Sequence, residues 1–103
     1  MGFLNNLFAA KPGIDFKELV KQGAVIVDVR TASEYKTGHI AGSLNIELDK
    51  INASIQSLKS KNKPVITVCR SGNRSGMALN ILLAAGIKAY NGGAWNDLQR
   101  KMA

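Results

Sequence analysis

A single cysteine stands among 103 residues, and the six residues after it are Arg70, Ser71, Gly72, Asn73, Arg74 and Ser75. A lone cysteine is most often a small buried hydrophobe with no chemistry of its own. Here the polar neighbours argue against an apolar pocket around Cys69. A strand leading in, a tight turn and a helix leading out would aim several backbone N–H groups into one concavity. The helix N-terminus would add partial positive charge there. Sulfur at the mouth of such a nest is stabilised as thiolate, its nucleophilic form. Arg70 and Arg74 are expected to lower its pKa further where their side chains lie near. Gly72 supplies backbone freedom for the turn, and Ser75 is placed as N-cap of the following helix. Arg70 reads either as an attractor of anions or as a solvated surface charge.

Asp28 and Arg30 form a second candidate group. They either hold the active loop by hydrogen bonds or an ion pair, or act locally, with Asp28 capping a turn. His39, between Gly38 and Ile40, reads as a structural hydrogen-bonding residue rather than a catalytic acid. One cysteine excludes an internal disulfide and a cysteine-only metal site, and His39 has no His or Cys partner nearby in sequence. Neither metal nor cofactor is expected.

Elements able to position these residues follow from the apolar pattern. Asp15 to Glu18 reads as a capping box opening a helix that Gly23 stops. Ala24 to Val29 is a continuous β-branched run typical of a strand buried on both faces. Thr31 to Glu34 is a second capping box, and Ser43 to Ile46 a short extended segment. Leu48, Ile51, Ile55 and Leu58 recur at helical spacing until Asn62, Lys63 and Pro64 break the pattern. Val65 to Val68 is the second buried strand and delivers Cys69 at its carboxyl end. Ser75 to Ala85 reads as a helix with Gly86 at C′, and Ile87 to Tyr90 as a brief strand. Asn91, Gly92 and Gly93 read as a turn before a last amphipathic helix bearing Trp95, Leu98 and Met102, with Trp95 in the core. This alternation implies an α/β domain with a mostly parallel sheet. In such sheets the active site lies beyond the carboxyl ends of the strands, where Asp28 and Cys69 would share one rim.

Three stretches together resemble the rhodanese (thiosulfate sulfurtransferase) domains, from about Asp15 to Trp95. Val27-Asp-Val-Arg30 with Glu34-Tyr35 and Gly38 to Ile46 resembles the family's first signature. Cys69 to Ser75 resembles its active-site loop, and Gly92-Gly93 with Trp95 its closing segment. The resemblance implies about five strands in a mostly parallel sheet, helices on both faces, and Cys69 as a persulfide-bearing residue. Four residues separate Cys69 from Arg74. Related phosphatases and arsenate reductases use a loop one residue longer, a wider cradle for a tetrahedral oxyanion, so the shorter loop argues against phosphatase activity. Sulfur would pass from thiosulfate to Cys69, and then to cyanide or a thiol. Two other readings stay open: a sulfur-relay module loaded by a partner protein, and a non-catalytic interaction domain, which the retained cysteine disfavours.

Net charge is +7, from 14 Lys+Arg against 7 Asp+Glu, which favours anionic partners. The basic residues are scattered, with only Lys59, Lys61 and Lys63 loosely grouped and no aromatic residues interleaved. Nucleic acid is therefore not expected, and a small dianion accounts for the charge more simply. The longest apolar stretch, Ile81 to Ala85, is too short to cross a bilayer. The stretch from Met1 to Ala10 lacks the basic start of a signal peptide, is interrupted by Asn5 and Asn6, and does not fit a myristoylation signal. A single cytoplasmic domain over residues 1–103, without membrane association, is the expectation.

Overall fold

The computed structural model describes residues 13–103, so the reading of Met1 to Ala10 lies outside the described residues. Both β-branched runs become central strands. β1 (Val25–Asp28) lies parallel to β3 (Val65–Cys69), with Val25 opposite Val65 and Asp28 opposite Val68. β2 (Leu44–Asn45) adds outside β1, and β4 (Ala89–Ala94) outside β3, giving the all-parallel order β2-β1-β3-β4. The described residues thus supply four strands where the resemblance implied about five.

Successive side chains on a strand point to opposite faces, and helices cover both. Ile26, Ile66 and Val68 meet Phe16 of α1 (Phe16–Lys21) and Leu98 of α5 (Trp95–Met102). Val27, Val65 and Cys69 meet Leu58 of α3 (Ile55–Ser60) and Ala78 and Leu82 of α4 (Asn73–Ala84). Leu58, Leu82 and Leu98 are fully buried, each worth roughly 1.5–3 kcal/mol relative to exposure. The remaining helix, α2 (Ala32–Lys36), follows β1 and carries the complete capping box expected at Thr31 and Glu34. Among the described residues no helix is long and apolar enough to cross a membrane.

Three local expectations are corrected. At Asp15 only half of the box forms: its carboxylate accepts from Glu18 N–H, while Glu18 turns to accept from the Gln22 side chain instead. The segment from Leu48 to Leu58 is not one helix but two 3₁₀ turns, Leu48–Lys50 and Asn52–Ser54, followed by α3. Asn52 and Ser54 are weak helix formers, and the Ser54 hydroxyl bonds back to the Lys50 carbonyl. Ile51 and Leu58 still reach the core, so the periodicity reported burial correctly and helix continuity wrongly.

Asn91, Gly92 and Gly93 are not a turn but part of β4. Its register passes from Thr67 opposite Asn91 to Val68 opposite Gly93, leaving Gly92 as the extra residue of a bulge. A Cβ at Gly92 would lie 2.9 Å from both Ile66 Cγ2 and Val68 Cγ1, which is why glycine is required there. Gly93 sits at φ +79°, in the left-handed region.

Candidate active site

β3 ends on Cys69, and the chain turns at once into α4. Gly72, at φ +100°, takes the left-handed conformation that lets the helix begin at Asn73. Ser75 is therefore not the N-cap expected from sequence but lies within the first turn of α4, fully buried. Its side chain faces inward, onto the sulfur.

Cys69 is 1 % exposed. The Gly72 N–H donates to Sγ at 3.0 Å, and the thiol donates to Ser75 Oγ at 3.3 Å. Burial pushes this thiol up. The Ser75 hydroxyl and the backbone N–H groups of Ser75, Ser71 and Gly72 outweigh it, leaving the pKa below the ordinary cysteine value. The nest is thus present, but the expected contribution of Arg70 and Arg74 is secondary. Arg70 is exposed. The Arg74 guanidinium is held by Glu34, Nη1 to Oε1 at 2.7 Å and Nη2 to Oε2 at 3.0 Å, and that bond, ahead of the charge on Cys69, raises its pKa. Arg74 anchors the start of α4 to α2, a fork-to-fork contact across 40 residues of sequence.

Glu34 was legible only as the closing member of a capping box. It also accepts from the Thr31 N–H, and Arg74 and Thr31 together bring its pKa down to about 2. A folded-state pKa below that of the unfolded chain stabilises the fold in full above about pH 4.5, and this contribution is lost as pH falls toward 2. Both side chains are about a third exposed, so solvent screening limits the pair to about 1 kcal/mol. Glu34→Gln is expected to lose that amount at pH 6, about two fifths of it at pH 3 and about a tenth of it at pH 2, by urea unfolding; an equal loss at pH 6 and pH 2 would remove the ion pair from the account.

Asp28 and Arg30 share the same rim but do not touch the loop directly. Asp28 Oδ1 accepts from the Arg30 backbone N–H at 3.0 Å and from Nε at 2.9 Å, and Oδ2 accepts from Nη2 at 2.7 Å. Arg30 continues to the carbonyls of Gly38 (2.7 Å) and Glu34 (3.3 Å), and its guanidinium lies 4.8 Å over the Trp95 ring. The pair therefore fixes the segment from Glu34 to Gly38, and Glu34 in turn holds Arg74. His39 stacks on Tyr35 at 3.7 Å, with Nδ1 2.7 Å from the Tyr35 carbonyl, the structural part expected of it.

Two further residues belong to the site and were missed. Asn91 Oδ1 accepts from Ser75 Oγ at 2.7 Å, and its Nδ2 donates to the Gly72 carbonyl at 3.2 Å. Thr67 Oγ1 donates to the Ser75 carbonyl at 2.9 Å. The Asn-Gly-Gly run looked like a turn, so nothing local marked Asn91 as a partner of the cysteine loop.

A rhodanese-like domain model matches residues 14–97. The chain belongs to the rhodanese-like family. It is 35% identical over 82 residues to the thiosulfate sulfurtransferase GlpE of Pseudomonas savastanoi pv. phaseolicola, covering 77% of this chain and 74% of that protein. It is 43% identical over 68 residues to the uncharacterized protein YibN of Escherichia coli (strain K12), covering 64% of this chain. The matched part is 48% of that relative, so the chain spans about half its length. Among solved structures, a rhodanese with anions from E. coli superposes with a TM-score of 0.67 at 31% identity, over 73% of this chain and 91% of that one. The fold and the family are shared.

Proposed function

We propose that the chain is a sulfurtransferase that moves a sulfane sulfur from thiosulfate, or from a persulfide donor, to cyanide or a thiol through a Cys69 persulfide. The observation that carries this reading is the sulfur's setting: a thiol of lowered pKa that accepts from Gly72 N–H at 3.0 Å, at the N-terminus of a 12-residue helix.

In the first step the Cys69 thiolate attacks the sulfane sulfur of thiosulfate. A new S–S bond forms at Sγ, the S–S bond of thiosulfate breaks, and sulfite leaves with its electron pair. The outer sulfur of the persulfide is then the negative end. Among the described residues the N–H groups of Asn73 and Arg74, in the first turn of α4, have no acceptor within the helix, and they are the donors we assign to it. In the second step cyanide or a thiolate takes the outer sulfur, and the electron pair of the broken bond returns to Cys69. No general base takes part in either step of this reading, because each nucleophile reacts as its anion. Exposed Arg70 attracts the incoming dianion in this reading.

The test is intact-protein mass spectrometry after incubation with thiosulfate. The expected result is a gain of one sulfur atom, removed again by cyanide or by a small thiol. No gain would overturn thiosulfate as donor. Loading from a partner protein's persulfide instead would then assign the chain to a relay.

A further inference from the structure

The Ser75 hydroxyl carries one proton and has two claimants for it. With Cys69 as a thiol, Sγ donates to Ser75 Oγ, and Ser75 Oγ donates to Asn91 Oδ1 at 2.7 Å. A thiolate has no proton to give and only accepts hydrogen bonds, so on ionisation the hydroxyl is free to turn from Asn91 to sulfur and join the Gly72 N–H as a donor. Asn91 Oδ1 is not orphaned by this, since the Gly93 N–H also donates to it at 2.9 Å. Its amide nitrogen meanwhile donates to the Gly72 carbonyl at 3.2 Å. That carbonyl belongs to the residue whose N–H points at the sulfur. One side chain therefore touches the two residues whose hydroxyl and N–H contact Sγ, Ser75 and Gly72, without touching Sγ itself.

We propose that Asn91 is a positioning residue for Cys69: it parks the Ser75 hydroxyl proton while the sulfur is a thiol, releases it to the thiolate, and keeps the Gly72 N–H aimed at the sulfur in both states. The β4 bulge is what makes this possible. Gly92 lets the strand gain a residue between Thr67 and Val68, and Gly93 turns its own N–H back onto Oδ1. The inference concerns ionisation of the thiol and stands apart from the identity of the cargo.

Cys69 is the only cysteine, so its alkylation by iodoacetamide against pH reports its ionisation without interference. Asn91→Asp keeps an oxygen for Ser75, makes it a stronger acceptor, and turns a second oxygen on the Gly72 carbonyl. The midpoint of alkylation is expected to rise by about one pH unit, so the rate below the midpoint falls about tenfold. A nearby charge acting by itself would do the same whether or not Ser75 had its hydroxyl. In a Ser75→Ala background the further slowing by Asn91→Asp should therefore shrink to about threefold or less. Equal slowing in both backgrounds, or none in either, overturns the proposal. Should Asn91→Asp fail to fold, the wild type and Ser75→Ala alone suffice. Departure of the hydroxyl leaves Oδ1 to Gly93, so the Gly93 amide proton resonance should move with the Cys69 midpoint in the wild type and less than half as far in Ser75→Ala. Equal movement in both would overturn it as well.

Discussion

Cys69→Ser is expected to abolish sulfur loading from thiosulfate and to leave the fold standing. Oxygen is smaller than sulfur and fits within the same space, and a serine there still finds Ser75 Oγ and the Gly72 N–H as partners. The loss is chemical. Hydroxyl groups stay protonated at neutral pH, and among the described residues the hydrogen-bond partners of Sγ, Ser75 Oγ and the Gly72 N–H, include no base able to activate one. Removing the nucleophile from a covalent mechanism costs on the order of 10⁴-fold or more in rate. Intact mass after thiosulfate should show no added sulfur. The thermal midpoint should stay within about 5 °C of the wild type, where 1 kcal/mol corresponds to roughly 4–8 °C. Loading at the wild-type rate would remove Cys69 from the reaction.

Arg30→Met is expected to cost the fold more than any other single change at the rim. Asp28 is fully buried and Arg30 is 3 % exposed, so neither charge has water to fall back on. Truncating the guanidinium leaves the Asp28 carboxylate with only the Arg30 backbone N–H at 3.0 Å as a donor among those now seen from this residue. It also frees the Gly38 and Glu34 carbonyls and empties the face of Trp95. Removing one partner of a buried pair costs roughly 3–5 kcal/mol, against a total of roughly 5–15 kcal/mol for a domain. Thermal unfolding should shift down by about 12 °C or more. Replacing both residues, Asp28→Leu with Arg30→Met, should recover a large part of the loss, because the uncompensated charge is then gone. A shift of only a few degrees for the single variant would mean that the pair is not what holds the segment from Glu34 to Gly38.

Residues close in sequence declared their own chemistry. The run from Cys69 to Ser75 carries its nucleophile, its turn glycine and its donors within one strand–turn–helix, so the anion nest was legible from order alone. Val25–Asp28 and Val65–Cys69 were legible as central strands because β-branched runs without alternation suit only a sheet covered on both faces. The complete capping box at Thr31 and Glu34 follows the same rule, as do the stops at Gly23 and Gly86: each depends on contacts within a few residues.

What the tertiary structure decided is every contact whose partners are far apart along the chain. Glu34 meets Arg74 across 40 residues, and Ser75 meets Asn91 across 16. Neither pairing has a local signature, because each partner already satisfied a local pattern, Glu34 as a cap residue and Asn91 as a turn former. The start of α4 moved from Ser75 to Asn73 for a related reason. A left-handed Gly72 makes room for the earlier turn, and burial against Cys69 then claims the Ser75 side chain that a cap would have used. Sequence by itself thus determined the candidate nucleophile, the two central strands and the family. The parallel packing of β4 against β3 decided what braces the cysteine loop, because only that packing brings Asn91 and its bulge to Ser75 and Gly72.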